Sequence, residues 1–452
     1  MIGDTIAAVS TPAGEGGIGI VRVSGEDALE IVDAVFRASD RKPLREAATH
    51  TIRHGFILDD DRPVDEVLVT VMRAPRTYTR EDVVEVNCHG GVLATQLVLE
   101  RILRAGARIA DRGEFTRRAF VNGRLSLDEA KSVADVVRAR SADGLEAAVR
   151  QLAGRFSEEI AVLRARIAEL RARIELGIDF PEDDTANPVT AKDLEALIEA
   201  TRRLCERGAR GRVLREGLTV AIVGRPNVGK STLLNALLAE RRAIVTSLPG
   251  TTRDTVEDEA VFGGIPVRLI DTAGLRETRD AIEAEGVARA EAAIARSDLV
   301  LLLLDRSGPL TEEDRLLLAR PWDRPVILVW TKADLPRRAS EEAPGPWLAT
   351  CTVSALEGTG IDVLREEAVG RLYAGEIPQR GTALLLERWE MDQLRRVEDA
   401  LARANHVIAS KGTADMVADE LRQAHVEAGH LLGMDVDDEV LDEIFSRFCV
   451  GK

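Results

Sequence analysis

The spacing of apolar residues divides the chain into three regimes. In residues 1 to about 120, apolar runs of β character such as Ile18–Val23, Val67–Met72 and Val83–Val86 alternate with glycine turns and a few helices. Because short strands and helices follow one another here, this stretch predicts a small α+β domain.

The second regime, from Ser126 to Leu176, has the helical spacing of apolar residues almost throughout. This spacing places one set of side chains on a single helix face, which we expect to pack against another helix. We expect the helix to end at Gly177–Pro181 and a further one to run from about Ala191 to Arg207. The apolar face consists of Ile160, Leu163, Ile167, Leu170 and Ile174.

The third regime, about 216 to 374, alternates strands and helices as a doubly wound parallel sheet does. Amphipathic helices then return at Leu384–Ile408, Met416–Leu432 and Asp437–Phe448, and their apolar faces need a partner. The earlier helical segment is the nearest one, so we predict an α/β domain inserted into a discontinuous helical domain. The predicted boundaries are 1–120 for the N-terminal α+β domain, 121–215 and 375–452 for the two helical parts, and 216–374 for the inserted domain.

Composition narrows the possible functions. The 452 residues carry a formal net charge of −16, which argues against nonspecific coating of nucleic acid, and only 3% are aromatic, which leaves few side chains for base stacking. The longest purely aliphatic run, Leu299–Leu304, is too short to span a membrane, and the N-terminus lacks the pattern of a signal peptide. We therefore expect a cytoplasmic protein that does not enter a membrane. The cysteines are far apart and predict neither a disulfide framework nor a zinc site: Cys88, Cys205, Cys351 and Cys449.

A glycine-rich loop joins an apolar run to an amphipathic helix at residues 218–234. Gly224 and Gly229 allow backbone N–H groups to turn towards phosphates, and Lys230 supplies a positive charge to the β and γ oxygens. Ser231 at the helix N-terminus is placed to ligate Mg²⁺. The predicted ligand is therefore a nucleoside triphosphate.

The motifs that follow identify the base as guanine. A predicted strand, Val267–Ile270, ends in Asp271–Gly274, which can hold the metal through water and meet the γ-phosphate. Another strand delivers Thr331–Asp334, whose carboxylate can accept two hydrogen bonds from guanine but not from adenine. Ser354–Leu356 also follows a strand and can cover the guanine O6. Each segment alone is a weak signal, but in this order they predict a GTPase and disfavour an ATPase.

The whole chain resembles the MnmE (TrmE) family of tRNA-modification GTPases. The similarity covers Gly16–Arg22, Glu81–Glu85, His89–Gly91 and Gly113–Arg124, and the end of the chain, Cys449–Lys452, resembles the family's terminal Cys-x-Gly-Lys motif. The resemblance implies a Ras-like P-loop domain that binds GTP and a homodimer that joins a flavin-dependent partner of the GidA (MnmG) family, giving a heterotetramer. Together they would modify C5 of the wobble uridine of certain tRNAs to (carboxymethyl)aminomethyluridine.

The predicted nucleotide contacts lie in five segments of the chain. They are Asn227, Val228, Gly229, Lys230, Ser231 and Thr232; Thr246, Ser247, Leu248, Pro249, Gly250, Thr251 and Thr252; Asp271, Thr272, Ala273 and Gly274; Thr331, Lys332, Ala333 and Asp334; and Ser354, Ala355 and Leu356.

The hydrolytic mechanism must differ from that of Ras-type enzymes, because Leu275 stands where those have a water-orienting glutamine. From the residues alone, the acids Glu277, Asp280, Glu283 and Glu285 are all possible replacements, and by resemblance Glu283 matches the catalytic glutamate. The resemblance also implies that K⁺ replaces an arginine finger. Its ligands would be Asn227, Thr246, Leu248 and Thr251, whereas Ser231 and Thr252 would hold Mg²⁺.

One residue departs from the family pattern. The base-recognition motif usually begins with Asn, whose amide reaches the base N7 and ties loops together, whereas this chain has Thr331 with one short hydroxyl. We expect guanine selectivity to persist through Asp334 and the affinity for GTP to fall.

For the N-terminal domain the resemblance implies a folate-binding, dimerising fold that holds 5-formyl- or 5,10-methylenetetrahydrofolate as a one-carbon donor. Arg22, Glu85, Arg124 and Lys452 match the family's folate contacts. A carboxylate suits the aminopyrimidine edge of a pterin, and arginines suit the glutamate tail. Without the resemblance, surface ion pairs would be the simpler interpretation.

Two questions stay open at this point. Cys449, near the carboxyl terminus, is either a nucleophile or general acid/base near folate, or a partly buried anchor beside Phe445 and Phe448. The alternative function is a ribosome-assembly or signalling GTPase whose helical body is a binding platform. Such a protein needs neither a folate-like domain nor the terminal motif.

Overall fold

The computed structural model describes residues 3–179, 189–242, 257–271, 291–339, 343–372, 382–434, 436 and 438–451. The chain divides into two compact units. Unit 1 consists of Met1–Ala134, Gln151–Ile198 and Arg396–Lys452, and unit 2 consists of Asp135–Arg150 and Glu199–Arg395. Within the described residues, no helix has both the length and the apolar character needed to cross a bilayer.

Unit 1 contains a seven-stranded sheet with the order β3-β4-β5-β6-β2-β1-β7. Its strands are antiparallel except for β1 and β7, which pair in parallel. One sheet face is buried with helices α1 (Ala28–Val35) and α2 (Val92–Arg104) in a core that includes Val21, Val69 and Val86. The strands are β1 (Ile6–Val9), β2 (Ile18–Ser24), β3 (Phe36–Ala38), β4 (Thr51–Asp59), β5 (Arg62–Met72), β6 (Val83–His89) and β7 (Arg108–Ile109).

The α+β fold predicted for the N-terminal part is confirmed, and β4 is a strand that the sequence pattern did not reveal. The burial of β4 alternates, but its apolar character does not, because Ile52 and Phe56 are exposed while Gly55 and Ile57 are buried. Its outward apolar residues obscure the two-residue period from which a half-buried strand is recognised.

The helical regime is also confirmed, with two short breaks between its three helices α4 (Leu127–Arg138), α5 (Ala142–Leu152) and α6 (Arg155–Asp179). Helix α3 (Glu114–Val121) precedes them. The five apolar residues predicted to form one face of α6 are all buried, and α6 packs against α12 (Ala414–Leu431) within unit 1.

One helix end agrees with the prediction and another differs. Helix α6 ends at Asp179, inside the predicted segment Gly177–Pro181, and it runs through Gly177 because one glycine inside a helix costs only about 1 kcal/mol. Helix α7 runs from Ala191 to Glu216 rather than to Arg207. Its buried face continues through Leu214, and Gly217, with φ 72°, ends it in the left-handed conformation typical of a helix C-terminus.

Unit 2 contains a six-stranded sheet with the order β13-β12-β11-β8-β10-β9. All neighbouring pairs are parallel except β9 and β10, which form an antiparallel edge on the predicted parallel sheet. Every residue of β11 is buried, as expected for a central parallel strand covered on both faces. The strands are β8 (Leu218–Val223), β9 (Glu257–Phe262), β10 (Ile265–Asp271), β11 (Leu299–Asp305), β12 (Val326–Thr331) and β13 (Ala349–Thr352).

Helices flank this sheet and continue after it. Further helices are α8 (Lys230–Arg242), α9 (Glu312–Ala319), α10 (Ile361–Leu372), α11 (Arg388–Ala409) and α13 (Asp438–Ser446), and residues 291–296 are also helical. The three amphipathic helices predicted after the α/β domain thus exist, with boundaries shifted by a few residues. Terminal residues of helices are the part that apolar spacing determines least.

Candidate functional site

The phosphate-binding loop follows β8 and folds around the ammonium group of Lys230. Lys230 Nζ donates to the carbonyl oxygens of Gly224 at 2.8 Å and Arg225 at 2.9 Å, and the residue is only 7% exposed. Asn227 with φ 60° and Gly229 with φ 106° have the left-handed backbone that the loop needs. The loop therefore wraps its backbone around a buried positive charge, as binding of phosphate oxygens requires.

Close packing explains the first glycine of this loop. A Cβ atom on Gly224 would lie 2.9 Å from both Leu303 O and Val228 Cγ1. Val228 is fully buried and anchors the loop against the sheet. Ser231 and Thr232 follow in the first turn of α8, where both are exposed, so the Ser231 hydroxyl is of the right kind and position for Mg²⁺.

The predicted base-recognition residues meet at the carboxyl ends of β12 and β13. The Ser354 hydroxyl donates to Asp334 Oδ1 at 2.7 Å, and Ala333 N donates to Val353 O at 3.0 Å. A hydroxyl that donates to one carboxylate oxygen fixes the orientation of the whole group. The carboxyl ends of parallel strands are where such folds bind ligands.

Thr331 connects the base-recognition segment to the phosphate-binding loop. Its Oγ1 lies 2.7 Å from Val228 O and 3.1 Å from Leu304 O, and the residue is 4% exposed. Because both neighbours are carbonyl oxygens, the hydroxyl is the donor. The Thr at this position therefore ties the two loops together, which is one of the two tasks expected of the usual Asn.

Asp305, the last residue of β11, lies close to positively charged side chains from both loops. Its Oδ2 lies 2.6 Å from Lys332 Nζ and 3.3 Å from Arg225 Nη2, and its Oδ1 accepts the N–H of Ser307 at 2.9 Å and the hydroxyl at 2.6 Å. Burial raises the pKa of Asp305, but the bonds from Lys332 and Ser307 outweigh it and leave the pKa below its usual value. Sequence reasoning missed this residue, although its place at the end of a buried parallel strand was a signal.

Several predicted contacts lie outside the described residues. They are residues 246–252, which contain the remaining K⁺ ligands and the second Mg²⁺ ligand, residues 272–274, Glu283 and Lys452. Asp271 is the last residue of β10. Their roles stay predictions.

A second cluster lies in unit 1, on the sheet face opposite the core. Arg22 and Glu85 are cross-strand neighbours in β2 and β6, and Arg22 Nη2 lies 2.7 Å from Glu85 Oε1. The carbonyl oxygen of Gly451 accepts hydrogen bonds from Ser10 Oγ at 3.1 Å and from Arg22 Nη1 at 3.5 Å. The tail of the chain therefore lies directly beside this ion pair.

Tyr78 connects the third predicted folate residue to the cluster. The guanidinium carbon of Arg124 lies 4.7 Å from the centroid of the Tyr78 ring, and that of Arg22 lies 5.5 Å from it. Arg124 Nη1 also donates to Tyr78 O at 3.1 Å. The structure thus brings Arg22, Glu85 and Arg124 together around a tyrosine to which no sequence motif pointed.

The tail is anchored by its backbone and by two aromatic rings. Val450 forms a β-bridge with Arg112, and the buried rings of Phe445 and Phe448 lie 5.5 Å apart. Cys449 is exposed, so the thiol itself does not fill the core beside these rings. The thiol is therefore accessible, two residues before the Gly451 carbonyl group that contacts Arg22.

An ionic network supports the same region of unit 1. Arg118, 9% exposed, donates to Asp4 Oδ1 at 2.7 Å, to Glu114 Oε1 at 2.9 Å and to Glu81 Oε1 at 3.2 Å. The hydrogen bond from Arg108 is the main cause that lowers the pKa of Asp4. Burial raises the pKa of Glu114, but bonds from Arg108, from a backbone N–H and from Arg118 outweigh it and lower the pKa.

The parallel sheet, the phosphate-binding loop and the Asp334–Ser354 pair define a P-loop nucleotide hydrolase of the GTPase class. Residues 127–449 match the family model described as the MnmE helical domain, and residues 5–124 match the one described as the GTP-binding protein TrmE N-terminus. The chain therefore belongs to the MnmE family of tRNA modification GTPases. Membership makes it an enzyme that uses GTP with Mg²⁺.

Individual relatives agree along the whole chain. The tRNA modification GTPase MnmE of Geobacillus kaustophilus is 44% identical over 461 residues, which cover 99% of each chain. The protein of the same name from Chloroflexus aurantiacus is 46% identical over 458 residues, covering 99% of this chain and all of the relative. That from Moorella thermoacetica is 45% identical over 466 residues and covers both chains in full.

The similarity to solved structures is weaker than the similarity to these relatives. Era from Aquifex aeolicus bound to GDP and AlF4⁻ is 27% identical, covers 40% of this chain and 66% of that chain, and has a TM-score of 0.27. The G domain of the FeoB iron transporter of T. maritima is 28% identical, covers 34% of this chain and 98% of that chain, and has a TM-score of 0.24. These TM-scores are low, so the two structures bear on neither the fold nor the site.

Proposed function

We propose that this GTPase acts in the modification of C5 of the wobble uridine of certain tRNAs, together with a flavin-dependent partner of the GidA (MnmG) family. A tetrahydrofolate derivative would supply the one-carbon unit, and the product would be a (carboxymethyl)aminomethyluridine. As an enzyme of tRNA it would work in the cytoplasm. The proposed organisation is an N-terminal folate domain (1–120), a helical domain in two parts (121–215 and 375–452) and an inserted G domain (216–374).

The observation that supports this proposal best is the convergence of Arg22, Glu85, Arg124 and the tail. A carboxylate and two guanidinium groups are the donor and acceptor set that a pterin edge and a glutamate tail require. The Arg22 and Glu85 side chains are 20% and 21% exposed, so they are partly desolvated yet reachable by a ligand. The residues present therefore fit a folate, whose bound form would supply the one-carbon group.

The exposed thiol of Cys449 supports a chemical rather than a merely structural part for the tail. Arg22 contacts both Glu85 and the carbonyl oxygen of Gly451, so a ligand held by the ion pair would lie close to Cys449. We propose that Cys449 is a nucleophile or general acid/base for the one-carbon unit. Lys452, by resemblance, would contribute to folate binding.

K⁺ is proposed as the ion that offsets charge during hydrolysis. Asn227 is exposed in the phosphate-binding loop, so its amide is accessible to an ion rather than packed in the core. An amide oxygen is a suitable ligand for a hard cation. K⁺ would supply electrostatic stabilisation at the transferred phosphate, and Glu283 would position the water.

A homodimer is proposed from the outer face of the unit 1 sheet. Ile52, Phe56 and Leu68 lie on the same face as Arg22 and Glu85, because they occupy matching register positions in neighbouring strands. Ile52 is 64% exposed, Leu68 47% and Phe56 36%. Adjacent exposed apolar side chains indicate an interaction surface. A second copy that covers this face, and the flavin-dependent partner, would form the proposed heterotetramer.

Deletion of residues 449–452 tests the function against a ribosome-assembly or signalling GTPase. The deletion removes the tail from unit 1 and leaves the phosphate-binding loop of unit 2 intact. We expect GTP hydrolysis near the full-length rate and loss of wobble-uridine modification in an assay with the flavin-dependent partner. A Cys449→Ser variant, which keeps the docked backbone, separates the thiol from the anchor. Modification that persists in both variants would overturn the proposed role of the tail.

A further inference from the structure

We infer that Thr331 makes this enzyme insensitive to N7 of the guanine base, so that recognition of the base relies on its other positions, with Asp334 accepting from N1 and N2. The inference rests on the proposed assignment of Asp334 to guanine. It adds a specificity property that the presence of a GTPase site does not by itself imply.

The argument begins with the hydrogen-bonding capacity of a hydroxyl. A threonine side chain has one proton to donate, whereas the amide of the usual Asn has two. Thr331 Oγ1 faces two carbonyl oxygens, Val228 O at 2.7 Å and Leu304 O at 3.1 Å. Its single proton is therefore committed to the protein backbone.

Guanine N7 is a hydrogen-bond acceptor, and only a donor can recognise it. With its proton committed, the Thr331 hydroxyl presents lone pairs to any other group, and lone pairs do not attract another acceptor. The burial of Thr331 supports the same conclusion, because the residue is 4% exposed and its side chain is too short to extend towards a ligand. The Thr331 side chain therefore links the two loops and donates no hydrogen bond to N7.

Asp334 and Lys332 do not replace the lost contact. Asp334 is held by the hydroxyl of Ser354 and is an acceptor when ionised, so it suits the N1 and N2 donors of guanine and not N7. Lys332 Nζ lies 2.6 Å from Asp305 Oδ2, which directs its charge to the end of β11. Base selectivity therefore depends on the Watson–Crick edge.

The test compares GTP with 7-deaza-GTP, in which a C–H group replaces N7. Dissociation constants of the full chain are measured by displacement of a fluorescent guanine nucleotide. We expect the wild type to bind the two nucleotides within about twofold of each other. Thr331→Asn, which restores an amide donor, should favour GTP by about fivefold, the value of one net hydrogen bond.

Two further variants make the result decisive. Thr331→Val removes the hydroxyl at nearly constant shape, so it should weaken both nucleotides by the same factor and leave their ratio at the wild-type value. Thr350→Asn, at an exposed position of β13, tests whether a new amide elsewhere changes the ratio, and we expect no change.

A wild type that favours GTP over 7-deaza-GTP as strongly as Thr331→Asn does would overturn the inference. So would a Thr331→Asn variant that binds GTP well but gains no preference. Failure of the guanine assignment itself has a different signature, because Asp334→Asn would then leave the preference between guanine and xanthine nucleotides unchanged. The two failures are therefore distinguishable.

Discussion

Lys332 Nζ lies 2.6 Å from Asp305 Oδ2, and the same carboxylate oxygen receives Arg225 from the phosphate-binding loop. One acidic side chain thus connects the segment proposed to hold the base to the loop proposed to hold the phosphates. Arg225 also contacts Asp314 Oδ2 at 3.2 Å, which extends the connection to α9. A displacement of either loop therefore disturbs the other.

Replacing Asp305 with Asn should weaken both folding and nucleotide binding. The amide removes the charge that Lys332 and Arg225 face, but both cations are partly exposed, so the expected loss of unfolding free energy is about 1–2 kcal/mol. We expect GTP affinity to fall by about fivefold, because the two loops lose their common anchor. All tryptophans of the chain lie in the 199–395 part of unit 2, so urea unfolding followed by tryptophan fluorescence reports this unit.

Asp323→Asn serves as the matched control, because Asp323 is exposed and the change removes the same charge. It should unfold at the wild-type urea concentration and bind GTP normally. Equal effects of the two substitutions would show that net charge, rather than the Asp305 anchor, governs stability.

Asp334→Asn should shift base preference from guanine to xanthine nucleotides. The carboxylate accepts hydrogen bonds from N1 and N2 of guanine, and an amide presents a donor that suits the carbonyl group of xanthine instead. Competition binding with GTP and XTP gives the ratio of affinities, for which we expect a reversal of at least about tenfold. An unchanged ratio would count against the assignment of Asp334 to the base.

The features that could be predicted from the sequence are those that a pattern within a few neighbouring residues specifies. The face of α6 and the loop from Gly224 to Ser231 belong to this class, because helical periodicity and glycine spacing act over a few residues. Contacts between residues far apart in the chain could not be predicted in this way. Neither Tyr78 nor Asp305 belongs to a motif, and the partners of each became known only when separate segments of the chain were brought together.

Thr331 shows the limit of motif reasoning most clearly. The sequence showed that the usual Asn was missing, but which of its two tasks had been lost depended on the positions of Val228 O and Leu304 O. The end of α7 is a similar case, because its extension to Glu216 depends on burial of Leu214 rather than on helix propensity.

Hydrolysis of GTP should require K⁺ and depend on Asn227. With the amide oxygen of Asn227 as one ligand, KCl should accelerate turnover over NaCl by at least about tenfold, since removal of a single electrostatic stabiliser has effects of this size or more. Asn227→Ala should lose the salt preference while it still binds GTP. Phosphate release is measured in both salts, with Asn235→Ala, an exposed residue of α8, as the control. Equal wild-type rates in KCl and NaCl would contradict the proposed ion.

Acid should release the network around Asp4 and Glu114. Both carboxyl groups have folded-state pKa values below their ordinary values of 3.8 and 4.5, so their stabilising contribution is fully present above those values and is lost as pH falls through the lower folded-state pKa values. Arg108→Gln should therefore destabilise unit 1 near pH 7, by about 0.5–1 kcal/mol given its partial exposure, and this effect should diminish progressively as the pH falls below the ordinary values of the two carboxyl groups.

Hydrogen exchange of β1 amides, compared between wild type and Arg108→Gln at each pH, measures this difference. Arg104→Gln, which removes an exposed ion pair with Glu100, is the control and should show no pH-dependent difference. A destabilisation by Arg108→Gln that does not diminish as the pH falls below 3.8 would mean that the network does not titrate as proposed.

Gly451→Ala should separate tail docking from GTP hydrolysis without removing Cys449. Gly451 has φ 91°, and a Cβ atom there would lie 2.3 Å from Val9 O, so the alanine cannot occupy the docked position. The carbonyl group that accepts from Ser10 and Arg22 would move away, and the thiol would lose its place beside the ion pair. We expect at least about tenfold slower wobble-uridine modification, because small displacements of reacting groups have large kinetic effects. GTP hydrolysis should stay within about twofold of the wild-type rate, since the change lies in unit 1.

Gly177→Ala in α6, where no atom lies within 4 Å of the added Cβ, is the matched control and should change neither activity. Normal modification by Gly451→Ala would mean that the docked tail is not the reactive arrangement.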